Sequence, residues 1–398
     1  MDLTYSRDYE IFRSEIRAFL RQQWAGPSRD RARRTAEARA FRQAAVEAGY
    51  LYRHVPRIYG GSEQAADILK AQIIREEFGR VHAPRELDGV GVALLTPTLL
   101  EHGTEAQKEF FIPRTITGEF VWAQGYSEPS AGSDLASLRT RAELKDASWI
   151  INGQKIWSSG AHLARFMFVL VRTEPAAPKH AGISYLLVDL KQPGIEVRPL
   201  KQMTGGSEFC EVFFSDARTS ADWLVGARGQ GWTVSRSTLK HERNFIGGVD
   251  RVTKPFERLV ELARQTKLGD APAIEDPEIR QRLAKIAGSV AAATYSSYRQ
   301  TSLAARGEDP GLIQLLFKLY GSNIGHEIAQ CARELMGDSF LLAPQADGAR
   351  SDGVEKWNNQ FMGSLAVAIA GGASNIQRNI IAERGLGLPR SIERGAAE

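Results

Sequence analysis

The spacing of apolar residues changes twice along this 398-residue chain, and no other feature of the sequence restricts the possible folds as strongly. Near the N-terminus, Phe12, Ile16 and Phe19 follow the i, i+4, i+7 spacing that puts an apolar stripe on one side of a helix. From about residue 121, short β-rich runs separated by turn residues replace this pattern, and from about residue 231 the helical spacing returns. Because both periods occupy long stretches, the chain is predicted to have an α+β fold.

The two changes of pattern also predict how the chain divides into domains. A chain of this length is too long for one compact core. We expect an N-terminal α-helical domain over 1–118, a middle β-barrel or β-sandwich domain over 119–230 and a C-terminal four-helix bundle over 231–398. The long helices predicted for the last domain cover 234–264, 276–306, 312–336 and 360–383.

Within the middle domain, the dipeptide Asn152-Gly153 separates two β-rich runs, 149–151 and 155–157. Asn-Gly tolerates the positive φ angles that a tight two-residue turn demands. The sequence therefore predicts a β-hairpin that turns at this dipeptide.

Composition excludes several classes of protein. The two cysteines have no CxxC spacing and the seven histidines form no ligand-spaced cluster, so neither a disulfide framework nor a metal site is predicted. Residues 1–20 lack the apolar stretch of a secretory signal, and no run approaches the roughly 18 apolar residues of a membrane helix, so a cytoplasmic location without membrane contact is expected. The net charge is only +4, and the basic run 29–34 contains no aromatic residues, which argues against nucleic acid as a partner.

The segment 124–134 is the first candidate for a ligand site. It follows a predicted strand and is dense in small residues, hydroxyl groups and backbone N–H groups, so a flat polar ligand could approach it closely. A surface turn capped by Ser133 or Asp134 would explain the same residues.

The segments 157–160 and 370–375 are two further candidates. In the first, an aromatic plane is followed by two hydroxyl groups, which suits stacking on a ring and hydrogen bonding to its edge, although Trp157 in isolation is also explained by core packing. In the second, two glycines precede a predicted helix start, where free N–H groups favour an anion such as a pyrophosphate. A plain N-cap explains this second segment equally well.

The fourth candidate is a carboxylate on a predicted helix. Leu239, Glu242 and Ile246 stand at i, i+3 and i+7, so that Glu242 is set into an apolar stripe beside Arg243. Burial raises the pKa of a carboxyl group, as a base for a weakly acidic C–H requires. An ion pair between Glu242 and Arg243 on the helix surface is the alternative.

Taken in order, these segments resemble the acyl-CoA dehydrogenase family over essentially the whole chain. The most specific stretch is Ser-Glu-Pro-x-Ala-Gly-Ser-Asp, which begins at Ser127 and is followed about twenty residues later by Asn-Gly-x-Lys-x-Trp. The second is the run from Gly371 to Arg384, which continues into Leu-Gly-Leu-Pro. The resemblance implies an enzyme that uses FAD to remove a proton and a hydride from adjacent carbons of an acyl-CoA thioester.

The resemblance also implies roles for individual residues. Those expected around the isoalloxazine and ribityl parts of FAD are Gln124, Tyr126, Ser127, Trp157, Ser158 and Ser159. Ser133 is expected both near the cofactor and in the acyl-CoA channel, while Ser374 and Asn375 match residues that hold the diphosphate. The Gly371 N–H and a ribityl hydroxyl are expected to donate hydrogen bonds to the thioester carbonyl.

The position of the base distinguishes branches of this family. Many members carry the glutamate immediately before a Gly-(Thr/Ala)-Ser segment, where this chain has Gly371. Glu242 followed by Arg243 is similar instead to the arrangement in isovaleryl-CoA and long-chain dehydrogenases. The resemblance therefore implies that Glu242 removes the α-proton, and that Arg243 either orients Glu242 or contacts the CoA.

Two motifs of the family are incomplete here. The Arg-x-x-Phe-Gly stretch is reduced to a trace at 264–269, and the Gln-x-x-Gly-Gly-x-Gly stretch to a trace at 334–338. Such losses resemble members that form mixed tetramers, so the expected assembly is a homotetramer or a heterotetramer with a paralogous subunit. An electron-transferring flavoprotein is the implied electron acceptor. The alternatives are a non-catalytic partner subunit and a flavin monooxygenase with the same fold.

Overall fold

A computed structural model describes residues 5–28, 30–246, 250–309, 311–341 and 354–389. The chain forms two compact units, the first comprising Met1–Lys201 with Ser207–His241 and the second Gln202–Gly206 with Glu242–Glu398. The helices and the mixed sheet confirm the predicted α+β class. The division into three domains, with boundaries after residues 118 and 230, stays a prediction.

The first unit begins with helices that enclose an apolar core. These are α1 (Arg7–Gln23), α2 (Arg31–Glu47), α3 (Ile68–Arg80), α4 (Thr96–His102) and α5 (Glu105–Ile116). Local chemistry explains where α3 and α5 begin, because side chains satisfy N–H groups that the first turn leaves unpaired. The Asp67 carboxylate accepts hydrogen bonds from two such groups, and Thr104 with Gln107 forms a capping box.

The rest of the first unit is built around a mixed eight-stranded sheet. Its strands are β1 (Trp122–Gly125), β2 (Arg141–Lys145), β3 (Ser148–Lys155), β4 (Phe166–Arg172), β5 (Ile183–Asp189), β6 (Ile195–Pro199), β7 (Cys210–Ser220) and β8 (Leu224–Val225). Their order is β6-β7-β3-β2-β4-β5-β8, and β1 pairs with β4 in parallel. The sheet brings the ends of β1, β3 and β7 to the candidate site.

Strand β4 is buried on both faces and separates two apolar cores. Phe166, Phe168 and Leu170 pack in the core that also contains buried residues of the N-terminal helices. Met167, Val169 and Val171 alternate with them and pack in a second core formed by sheet residues. Because successive side chains of a strand point to opposite faces, one uninterrupted apolar strand can serve both cores.

The predicted hairpin turn is wrong. Asn152-Gly153 lies inside β3, and the turn between β2 and β3 is formed by Asp146 and Ala147, with Asp146 at φ 54°. Pairing of β3 with β7 shifts register between Ile151 and Gly153, which marks a β-bulge. A bulge and a tight turn both accept glycine with unusual φ, and for this reason the dipeptide alone did not distinguish them.

The second unit consists mainly of α-helices. Those described are α6 (Gly231–Ile246), whose last residues belong to this unit, α7 (Asp250–Gln265), α8 (Pro277–Ala305), α9 (Leu312–Met336), α10 (Val354–Val367) and α11 (Ser374–Ile380). The segment predicted as one helix over 360–383 is instead two, because residues 368–373 form a turn in which Gly371 and Gly372 have φ of 63° and 95°. Residues of α7, α8, α9 and α10 share a core. No helix among the described residues is long and apolar enough to cross a membrane.

A buried carboxylate links α1 to α3 in the first unit. Glu77 is 2% exposed, and its carboxylate accepts hydrogen bonds from Arg13 and Arg17 of α1 at 2.8–2.9 Å, and from Arg80 at 3.1 Å. Burial by itself would raise the pKa of Glu77, but the arginines hold that pKa at about 2. The charge of Glu77 therefore stabilises the packing of α1 on α3.

We expect Glu77→Gln to lower the stability of the protein by about 2 kcal/mol or more at neutral pH, the scale of hydrogen bonds to a charged group. The folded-state pKa of Glu77 lies below the unfolded value, so its contribution is present above about pH 4.5 and is lost as pH falls towards about 2. Urea denaturation from pH 7 to pH 3 should show the gap between variant and wild type narrowing. Glu76→Gln is the control, since this neighbouring carboxylate is 34% exposed and Arg13 is its one ion-pair partner among the described residues. A pH-independent gap would contradict this account of Glu77.

Candidate active site

A buried ion pair joins the loop 124–134, which we call the flavin loop, to the end of β3. Lys155 Nζ, at the end of β3, is 0% exposed and lies 2.8 Å from Glu128 Oε1 and 3.1 Å from the Tyr126 carbonyl. The Glu128 carboxylate, 6% exposed, also accepts hydrogen bonds from the N–H groups of Arg139 and Thr140. Both charges thus have partners, as burial requires.

Electrostatics keeps this pair charged at neutral pH. Burial lowers the pKa of Lys155 to about 8, and the adjacent Glu128 carboxylate prevents a larger decrease. Burial opposes ionisation of Glu128 as well, but Lys155 and the two N–H donors hold the pKa of Glu128 below its usual value. The loop and the strand are therefore linked by a full ionic interaction.

Backbone hydrogen bonds complete the link between the two segments. The Ile156 N–H donates to the Ser127 carbonyl at 2.9 Å, and Glu128 and Ala131 exchange two backbone hydrogen bonds that close a tight turn. Ser158 exchanges two backbone hydrogen bonds with Cys210, at the start of β7. The structure consequently brings Ser127 close to the segment 157–159.

Trp157 is held in a conformation that bulky residues rarely adopt. Its φ is +61°, and its side chain is 59% exposed, with one edge-to-face contact to Phe209 at 5.8 Å. A non-glycine residue in the left-handed region costs of order 1–3 kcal/mol and persists where the surroundings impose it. The result is a large aromatic plane presented outside the core, which contradicts the alternative that Trp157 is a core residue.

The next residue supplies a hydroxyl without a partner. The Ser158 side chain is fully buried, and its Oγ has no hydrogen-bond partner within the described part of the chain. Such a group costs free energy unless a ligand completes it. An exposed aromatic plane beside an unsatisfied hydroxyl fits a flat heterocycle with a polar edge, so these residues fit a flavin.

The other predicted residues of the first unit lie in two environments. Gln124 is half-buried on β1, whereas Ser133 and Ser159 are exposed. Tyr126 is 5% exposed, and its ring packs edge-to-face on Phe168 at 5.9 Å. The Tyr126 ring is therefore part of the core rather than of an open surface.

In the second unit, residues 371–373 form a turn that leads into α11, whose first two residues are Ser374 and Asn375. The Ser374 N–H and hydroxyl both donate to the Ala368 carbonyl, and Asn375 Oδ1 accepts from Arg378. Gln377 Nε2 donates to the Gly371 carbonyl at 3.3 Å. Ala373, not Ser374, is the N-cap of α11, and it makes no side-chain capping bond, so a plain N-cap is not the reason for Ser374.

Two predicted residues fall partly outside what the structure describes. The backbone of Glu242 and Arg243 is helical, within α6, as predicted. Their side chains lie outside the described residues, so the assignment of Glu242 as base stays a prediction.

Glu128 and Lys155 were not predicted as site residues, although both lie within the motifs that begin at Ser127 and Asn152. A signal was present, because Trp149, Ile151 and Lys155 occupy buried positions of the same strand. A lysine at a buried strand position requires a buried anion, and the loop 124–134 contains two acids, Glu128 and Asp134.

Three sequence profiles match the chain in succession. They are described as the acyl-CoA dehydrogenase N-terminal domain over residues 6–119, the middle domain over 123–217 and the C-terminal domain over 229–386. The chain belongs to the acyl-CoA dehydrogenase family. It is thus an oxidoreductase of a FAD-dependent family.

Similar proteins agree with this assignment. The chain is 40% identical to acyl-CoA dehydrogenase IpdE1 of Mycobacterium tuberculosis, across 97% of this chain and 100% of that protein. It is 38% identical to IpdE1 of Mycolicibacterium smegmatis, across 97% and 99%. Among solved structures, the Tcur3481-Tcur3483 steroid acyl-CoA dehydrogenase is 28% identical with a TM-score of 0.77, covering 98% of this chain and 100% of that chain. The ChsE4-ChsE5 complex from Mycobacterium tuberculosis is 27% identical with the same TM-score and the same coverage.

Breaking the buried pair of this acyl-CoA dehydrogenase should loosen the flavin loop. We expect Glu128→Gln to destabilise the protein by roughly 3 kcal/mol or more, because it leaves the Lys155 ammonium buried without an anion. Joining Glu128→Gln with Lys155→Met should cost less than the sum of the two single changes. Urea denaturation measures the loss of stability. The absorbance of the flavin that each purified variant retains measures the loosening of the loop.

Lys179→Met is the matched control, since Lys179 pairs with Asp134 of the same loop and both side chains are about half exposed or more. Its effect should stay within about 1 kcal/mol. Equal losses from Glu128→Gln and Lys179→Met would show that the buried pair does not hold the loop.

Proposed function

We propose that this chain oxidises an acyl-CoA thioester between its α and β carbons, with bound FAD, to the trans-2-enoyl-CoA. The observation that carries the proposal lies just after β3. There Trp157 is exposed in a strained conformation beside the unsatisfied hydroxyl of Ser158. Such strain and desolvation are retained at functional sites. The matches to the family over almost the whole chain support the same reaction.

The predicted residues would hold the cofactor. Trp157 and Ser158 would face its ring system, with Gln124, Ser127 and Ser159 close by, and Ser374 and Asn375 would lie at its diphosphate. When bound, FAD supplies the acceptor for the hydride that leaves the β carbon.

Polarisation of the thioester carbonyl is assigned to Gly371. Its N–H has no hydrogen-bond partner among the described residues. Its φ of 63° lies in the left-handed region, which glycine adopts without strain. A donated hydrogen bond would stabilise negative charge on the carbonyl oxygen as the α-proton leaves. This makes the C–H acidic enough for a carboxylate base.

Glu242 is the proposed base. Its place on α6 agrees with the branch of the family in which the position before Gly-Ala-Ser carries no glutamate, here Gly371. Arg243, the next residue, would orient Glu242 or bind the CoA moiety. Ser133 would line the channel for the acyl-CoA.

We expect Glu242→Gln to retain FAD and to bind acyl-CoA while turnover falls by at least about 10²-fold, the scale of a lost general base. Glutamine preserves the size and polarity of the side chain, so binding and catalysis should separate. Turnover with an artificial electron acceptor and the flavin absorbance spectrum with bound acyl-CoA measure the two properties.

Glu257→Gln provides the control, because this exposed glutamate on α7 undergoes the same chemical change. It should keep turnover within about twofold of wild type, as expected of a surface substitution. Near-normal turnover of Glu242→Gln would remove Glu242 from the mechanism.

The substrate and partners are proposed from the similar proteins. One of the similar structures is described as a steroid acyl-CoA dehydrogenase, which favours an acyl group on a bulky, ring-containing body. That structure and the ChsE4-ChsE5 complex each carry two protein names, which favours a heterotetramer with a paralogous subunit over a homotetramer. An electron-transferring flavoprotein is the proposed acceptor of the electrons.

The same two-protein structures support one competing function, a subunit that completes the tetramer without catalysing the reaction. Colour distinguishes the two. A catalytic subunit, expressed alone or with its paralogous partner, purifies yellow and is bleached by a steroid acyl-CoA. A colourless protein under both conditions would establish the competing function.

A further inference from the structure

The second unit contains a largely apolar cavity, and the proposed reaction gives no role to any of the described residues that line it. Its volume is about 490 Å³, within the range of roughly 300–1,000 Å³ typical of small-molecule sites. Residues of α7, α8, α9 and α10 line it. An organic molecule of moderate size would therefore fit between these helices.

Glycines inside two of the helices create much of this space. Gly321 and Gly325 of α9 and Gly363 of α10 line the cavity, and a Cβ built at any of them meets no atom within 4 Å. Glycine in a helix interior costs roughly 0.5–1 kcal/mol relative to alanine. Since no neighbouring atom is close, tight helix packing does not require glycine at these positions. The absence of side chains there instead leaves the cavity open.

The first charged group at the cavity is Lys318. It is 4% exposed, and its Nζ makes one long hydrogen bond of 3.4 Å, to the Ala368 carbonyl. No carboxylate lies within ion-pair distance of Lys318 in the described part of the protein, and burial lowers the pKa of its ammonium. A buried cation with so little compensation contrasts with Lys155, which is fully paired.

The second charged group is Arg258. Its Nη2 donates to Gln360 Oε1 at 3.2 Å and its guanidinium lies over Trp357, but its Nε is buried and has no partner among the described residues. The described lining of the cavity contains no Asp or Glu. The described lining is therefore positively charged and includes no acidic side chain.

The two cations contact different points of the chain, one in the middle of α10 and one in the turn that follows it. Arg258 bonds to Gln360 of α10, and Lys318 bonds to the carbonyl of Ala368, eight positions later and just beyond the end of the helix. Small and apolar side chains lie between these positions. This pattern suits an apolar body that carries a carboxylate at its end.

We propose that this cavity binds a small amphipathic carboxylate, whose anionic group neutralises Lys318 or Arg258 and whose apolar part occupies the space beside the helix glycines. The ligand is distinct in chemistry from a CoA thioester, because the cation-rich end accepts a free carboxylate. Binding does not depend on turnover, so the site can be tested separately from the proposed dehydrogenation.

Decanoate is a suitable probe. Isothermal titration of the purified, FAD-containing full-length protein should detect binding, and Lys318→Met and Arg258→Met should each weaken it by about tenfold or more, equivalent to about 1.4 kcal/mol. Decanol, which has no charge, should bind more weakly than decanoate and equally to wild type and Lys318→Met. Arg264→Met is the control, since Arg264 is a 62% exposed arginine on α7. Absence of decanoate binding, or binding that is equal in wild type and both variants, would overturn the proposal.

Thermal unfolding gives a second test, in which a ligand site and a structural role of Lys318 predict opposite changes of Tm. Removing an uncompensated buried cation should raise the Tm of ligand-free Lys318→Met, whereas loss of a structural cation would lower that Tm. Decanoate should raise the Tm of wild type but not of Lys318→Met. Gly325→Leu, which fills the cavity, should abolish decanoate binding and leave flavin content unchanged. A lower Tm for Lys318→Met, or decanoate binding that survives in Gly325→Leu, would show that the cavity is not a ligand site.

Discussion

The buried ion pair between Lys155 and Glu128 is the interaction on which the candidate site depends. One charge comes from the end of a central strand and the other from a loop that has no regular structure of its own. Neither side chain can be buried without the other, so the two segments are tied to a single arrangement. A pair of apolar residues could provide comparable stability, but it would not also accept hydrogen bonds from the N–H groups of Arg139 and Thr140. The pair therefore specifies the path of the loop as well as its attachment.

Rigidity at this point allows the neighbouring residues to be held in unfavourable states. Trp157 keeps a left-handed backbone and Ser158 keeps a buried hydroxyl without a partner, because β3 and β7 fix the chain on both sides of them. Behind the strands, β4 contributes to two apolar cores at once. The free energy of these cores offsets the strain and desolvation at the site. A cofactor that stacks on Trp157 and bonds to Ser158 would recover part of that cost.

The two units treat buried charge differently. In the first unit, Glu77 and the Lys155–Glu128 pair are surrounded by opposite charges and hydrogen bonds. In the second unit, Lys318 and Arg258 border a cavity whose described lining carries no acid. Buried charges in proteins are normally paired or bound to ligands, and this difference is the physical basis for assigning a ligand to the cavity.

The sequence determined the α+β class and the family, and it singled out the two segments 124–134 and 157–160 as candidates for a ligand site. These features follow from local periodicity and from short motifs whose chemistry is carried by the residues themselves, such as the run that begins at Ser127. The ends of α9 were also predicted, because the helix expected over 312–336 agrees with the observed bounds Leu312–Met336. Asn152-Gly153 indicated an interruption of regular strand pairing. The dipeptide did not indicate whether that interruption is a turn or a bulge.

Tertiary structure alone decided the choice between turn and bulge, because the register of β3 is set by its partner β7 and not by its own residues. It likewise decided that Trp157 is exposed while Tyr126 is buried, although both are aromatic residues of the same motif region. The cavity beside Lys318 also arises only when residues far apart in the sequence are brought together. Packing between distant segments determines burial, and burial gives a charged or aromatic residue its role.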